Sequence, residues 1–75
     1  MYLSYQQARL LDCFARYERA GLVVAVNEAV AELGLRGFAA AAWHVRELRR
    51  KGLVQVGIDG RGSVRVTPRG MALVG

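Results

Sequence analysis

At Gly52 the hydrophobic period of this chain changes from 3.6 to 2, and that switch narrows the folds open to it. Before it, residues 36–52 (RGFAAAAWHVRELRRKG) place Phe38, Ala41, Ala42, Val45, Leu48 and the aliphatic stem of Arg49 on one apolar stripe of a helix. Ala39, Trp43, Arg46 and Arg50 fall on a second face, with His44, Glu47 and Lys51 further round. Gly52 is a helix stop, and the basic last turn suits the negative end of the helix dipole. After it, residues 53–58 and 63–67 read as two strands joined by the Gly-rich turn DGRG at 59–62. Val54, Val56 and Ile58 share one strand face, as do Val64 and Val66, while Gln55 and Arg65 point the other way. Pro68 ends the second strand, and the tail RGMALVG predicts a short helical turn over the core.

Upstream, residues 4–20 read as a helix. Ser4 followed three positions later by Gln7 is a capping-box pattern, Leu10, Leu11, Phe14 and Tyr17 give the core face, and Gly21 closes it. The apolar connector LVVA (22–25) predicts an extended edge segment. A second helix follows over 26–33, with Glu28 near its positive end and Gly34 in the left-handed position after its last turn. Two helices joined by a short Gly-containing turn form a helix-turn-helix. The expected fold is therefore α+β, a winged helix-turn-helix with three helices followed by a two-stranded β-hairpin wing.

Seventy-five residues support one domain (1–75) with one small core. A single Cys cannot form an internal disulfide, which points to a reducing, cytoplasmic setting. Among Leu10, Leu11, Phe14 and Tyr17, Cys13 reads as a small buried hydrophobe. Residues 1–20 lack a basic n-region and a continuous apolar run, so no secretory signal is expected. The apolar run at 21–26 is too short to span a bilayer, so no membrane association is expected either.

The net charge of +5 is unevenly placed. Residues 1–35 carry Arg9, Arg16 and Arg19 against Asp12, Glu18, Glu28 and Glu32, a balance of −1. Residues 36–75 carry Arg36, Arg46, Arg49, Arg50, Lys51, Arg61, Arg65 and Arg69 against Glu47 and Asp59, a balance of +6. A basic second half calls for an anionic partner, nucleic acid before an acidic protein surface.

Several stretches carry a family likeness across roughly residues 3–66: LSYQQ followed by LLD, then NEAVAELGLRG, AAAWH, and LRRKGLVQV before a Gly-containing wing. In these the chain resembles the N-terminal DNA-binding domain of the LexA repressor. The closing VTPRGMALV looks like the wing exit of MarR-like winged-helix regulators. The resemblance implies that residues 37–51 form the recognition helix and that the hairpin around Arg61 touches backbone phosphate. LexA repressors carry a second, self-cleaving domain with a Ser–Lys dyad, and none of that chemistry transfers to these residues. The family reads bases with small polar and acidic side chains early in the recognition helix. Here those positions hold Gly37, Ala39, Ala40, Ala42 and Trp43, so the family's target sequence does not carry over.

The candidate DNA-binding residues are Arg36, Gly37, Ala39, Ala40, Trp43, His44, Arg46, Arg50, Lys51, Arg61 and Arg65. Arginine forms bidentate contacts with phosphates and guanine edges. Alanine donates and accepts nothing, which leaves direct readout to Arg36, Arg46, Arg50 and His44, with specificity modest or resting on DNA shape. Trp43 lies far round the helix from Phe38 and Val45, so it is expected outside the core. A lone His with the only Cys on another helix makes no metal site. Ser4 has no base beside it, the carboxylates lack a paired buried setting, and the glycines form no phosphate loop. No catalysis and no cofactor are expected. The sequence reads as a small transcriptional regulator, a repressor-like homodimer on double-stranded DNA. The alternative is a winged-helix protein-interaction module, of the kind used by phage modulators and inhibitors, docking through Trp43 and its arginines.

Overall fold

The structure, a computed structural model, describes residues 2–35, 37–57 and 62–74, and within these every side chain except those of Phe38 and Ala39. Ser4 starts the first helix, α1 (Tyr5–Arg19), by the expected reciprocal cap. Its hydroxyl accepts from the Gln7 N–H at 3.2 Å, and Gln7 Oε1 accepts from the Ser4 N–H at 3.4 Å. Leu10, Leu11, Cys13, Phe14 and Ala15 are buried along α1, and they form the middle of one hydrophobic core.

The connector LVVA runs extended, and Val24–Ala25 forms β1. Directly after it comes α2 (Val26–Leu33), where Glu28 Oε1 accepts the Ala25 N–H at 2.8 Å and so satisfies an orphan donor at the helix's positive end. Gly34 ends α2 at φ +65°, the left-handed conformation in which a side chain is strained. The chain then enters α3 (Phe38–Arg50). Beyond Gly52 lie β2 (Val54–Val56) and β3 (Ser63–Val66). The three strands form one antiparallel sheet in the order β1-β3-β2, with Val24 opposite Val64 and Val54 opposite Val66. Val24, Val54, Val64 and Val66 are buried against Leu10, Phe14, Val45, Leu48 and Leu53.

The tail forms a full helix, α4 (Pro68–Val74). Thr67 begins it: its Oγ1 accepts from the Gly70 N–H at 3.1 Å and donates to the Gly52 carbonyl at 2.7 Å. Gly70 lets α4 come close to the sheet. A Cβ there would overlap the Leu53 carbonyl oxygen and lie 2.7 Å from Val66 Cγ1.

The expected three helices and two-stranded hairpin fall short by one strand and one helix. The edge segment at 22–25 becomes a third strand because β3 offers it a pairing edge, and the tail becomes a helix because Thr67 caps it. The structure is thus a small α+β fold of four helices and a three-stranded antiparallel sheet among the described residues. The expected turn at 59–62 lies outside them except for Gly62, as does Ile58.

Candidate functional site

Helix α3 divides its residues between two environments. Ala41, Val45 and Leu48 are buried, and Ala40, Trp43, Arg46, Arg49 and Arg50 are exposed. The buried arc is turned from the expected stripe, toward His44 and away from Arg49. Gln7 explains the turn. It is 5% exposed, and its side chain joins α1 to α3. Gln7 Nε2 lies 3.3 Å from His44 Nδ1, while Gln7 Oε1 accepts from Lys51 Nζ at 3.2 Å. Lys51 Nζ also donates to the Tyr2 carbonyl at 2.9 Å. A buried amide must find partners, so the His44 and Lys51 edge of α3 faces α1.

The outward face carries Trp43, 51% exposed. Its ring meets the His44 ring edge-on, with centroids 5.1 Å apart and planes at 71°. Since Gln7 holds His44, the indole has a fixed support. Arg46 and Arg49 make no hydrogen bond or ion pair among the described residues. Arg50 pairs with Glu47 at 2.6 Å across one helical turn, an ion pair that holds the Glu47 carboxyl below the usual carboxylate range. Beside this face an open cleft of about 600 Å³ runs between Arg49 and Gly52 on one side and Val54, Gln55, Val56 and Thr67 on the other.

A second polar cluster lies between α1 and α2 and uses the protein's own charges on one another. Glu32 accepts from the Tyr17 hydroxyl at 2.7 Å, from Arg16 Nη2 at 2.9 Å and from Cys13 Sγ at 3.3 Å. These donors lower the Glu32 pKa, the Tyr17 hydroxyl most. Burial, reinforced by Glu32, pushes the Cys13 thiol up to about 11. Across the sheet, Glu18 takes Arg65 Nη2 at 2.7 Å and the Val66 N–H at 3.0 Å, which holds its carboxyl below the ordinary value.

Of the residues expected to meet DNA, Ala40, Trp43, Arg46 and Arg50 come together on one exposed face, with Gly37 exposed at its N-terminal cap. Ala39 belongs to α3 by its backbone, and its side chain is not among those described. Arg36 and Arg61 lie outside the described residues. His44 and Lys51 are held by α1, and Arg65 is held by Glu18. Arg49, whose stem the helical period assigns to the apolar stripe, is instead exposed beside the cleft. Gln7 shows in the sequence only as a cap; its second role across 37 residues leaves no local pattern. Trp43 stands outside the core and Cys13 inside it, as expected.

Among the described residues, no helix is long and apolar enough to cross a membrane, and no group of three or more His, Cys, Asp or Glu side chains is placed to hold a metal ion. No protein-family model matches the chain, and no curated protein matches it either.

Proposed function

We propose that this chain is a small DNA-binding transcriptional regulator of winged helix-turn-helix type, with α3 in the major groove and the β2–β3 hairpin on the phosphate backbone. The observation that carries this reading is the outward face of α3. Among the described residues, Arg46 and Arg49 stand there without an ion pair, Arg50 is paired to its neighbour Glu47, and an exposed tryptophan lies on the same face. An α-helix with that surface fits the width of the major groove and offers cations to the flanking phosphates. The short connection from α2 into α3 after Gly34 is compatible with a helix-turn-helix and supports this reading. The likeness to the LexA DNA-binding domain and the +6 balance of residues 36–75 support the same reading. A single module of this size buries little surface, so a homodimer on a two-fold site, working in the cytoplasm, completes the proposal.

One observation favours the alternative, a protein-interaction module: Lys51 and Arg65 are tied down internally, which leaves fewer cations for phosphate. Titration of random-sequence duplex DNA at several salt concentrations separates the two. Duplex binding should weaken steeply with salt, and Arg46→Ala/Arg50→Ala should flatten the log–log slope by about 0.9 for each phosphate no longer neutralised. Absence of duplex binding at low salt would reject the regulator reading in favour of the interaction module.

A further inference from the structure

We infer that the Ala40–Trp43 part of α3 reads the 5-methyl group of pyrimidines in the major groove, so that the protein prefers duplexes rich in thymine or 5-methylcytosine. This inference rests on the duplex-DNA reading above and says which chemical feature of the duplex that face selects.

Base edges in the major groove offer donors, acceptors and one apolar feature, the C5-methyl of thymine. A helix that reads donors and acceptors needs polar side chains on the exposed positions of its first two turns. Among the described residues, the exposed positions of α3 and its cap before Arg46 are Gly37, Ala40 and Trp43. His44, the only other polar ring there, is half-buried and held by Gln7. This part of the face therefore offers a methyl group, a bare backbone and an indole. Among its side chains only the indole N–H can hydrogen-bond, and it is a donor alone.

The indole is also positioned in advance. It rests edge-on against His44, which Gln7 fixes from the buried side, so little side-chain freedom is given up when it meets a groove wall. Ala40 lies one turn before Trp43 on the same exposed side, and its side chain is itself a single methyl group. Charge argues that DNA is the occupant. Arg46 follows Trp43 by three residues and Arg50 by seven, so an apolar reader sits beside cations suited to a polyanion. Phosphate contacts supply affinity without sequence information, and the indole supplies the discrimination.

The division of labour makes the two parts separable. Affinity would be measured by anisotropy for two pairs of alternating duplexes, each pair differing by one methyl group. One pair is dA and dT against dA and dU; the other is dG and 5-methyl-dC against dG and dC. The methylated member of each pair should bind about fourfold more tightly for each methyl buried. Trp43→Ala should bring both ratios to one and leave the salt slope unchanged, while Trp43→Phe, which keeps an aromatic ring, should retain a preference. Arg46→Ala/Arg50→Ala should do the reverse, flattening the salt slope and keeping the ratios. Equal affinity within each pair, ratios that survive Trp43→Ala, or tighter binding to single strands would overturn the inference while leaving DNA binding standing. No binding to any duplex would overturn the DNA reading itself.

Discussion

The α1–α2 junction and the outward face of α3 treat charge in opposite ways. At the junction one carboxylate, Glu32, gathers Cys13, Arg16 and Tyr17, so donors and acceptor satisfy one another. On α3, Arg46 and Arg49 make no ion pair among the described residues, and the one acidic residue of the helix is taken by Arg50. The carboxylates at 18, 28 and 32 therefore fasten the first half of the chain to itself and to β3, and Arg65 of the second half is taken up in that fastening, whereas Arg46 and Arg49 stay exposed. Paired charges hold the fold, and unpaired ones are available to a partner.

The largest expected effect tests whether the two faces of α3 differ as much as their burial indicates. Leu48→Ala, on the fully buried inner face, should lower unfolding stability by about 2–5 kcal/mol, since apolar burial is removed and a cavity is left behind. Arg46→Ala on the outer face should stay within about 0.5 kcal/mol. Chemical denaturation of both variants checks this, and comparable destabilisation would erase the distinction. Gly70→Ala should cost about 1–3 kcal/mol, because the new methyl meets the Leu53 backbone, which cannot rotate away as a side chain can.

A third test concerns the junction. Cys13 is fully buried, with its thiol pushed up from 9.0 to about 11, so native protein at pH 8 should react with iodoacetamide at least roughly 100-fold more slowly than unfolded protein. Rapid native alkylation would mean that the junction opens readily. The smallest effect is in acid. Glu18, Glu32 and Glu47 all have folded pKa values below their ordinary 4.5, so each contributes stability that is present above that value. Stability should be flat from neutral pH to about 5 and then fall as pH drops through the lowered folded values. Glu18→Gln should reduce that fall, as thermal melts across the range would show.

Local patterns make most of the backbone legible. The Ser4–Gln7 cap, Gly34 and the period change at Gly52 place α1, α2, α3 and the strands within a few residues of their observed ends. The edge segment at 22–25 and the helical tail are visible too, although their full extent depends on β3 and Thr67. The site is less legible, because what distinguishes a free arginine from a fastened one is tertiary. Arg65 meets Glu18 across 47 residues, and Lys51 meets Tyr2 across 49. Neither pairing leaves a trace in spacing. The turn of α3's buried arc toward His44 has the same origin, since it follows from a single buried amide at Gln7. Trp43 can be placed outside the core because its angle from Val45 on a helix is fixed by geometry alone.

DNA binding through α3 is tested most directly at the indole N–H of Trp43, the only tryptophan in the chain, followed by heteronuclear NMR as random-sequence duplex DNA is added. If α3 enters the groove, this resonance and those of Arg46 and Arg49 should shift together, while Cys13, Tyr17 and Glu32 stay in place. Shifts centred on the α1–α2 junction, or none on α3, would contradict it.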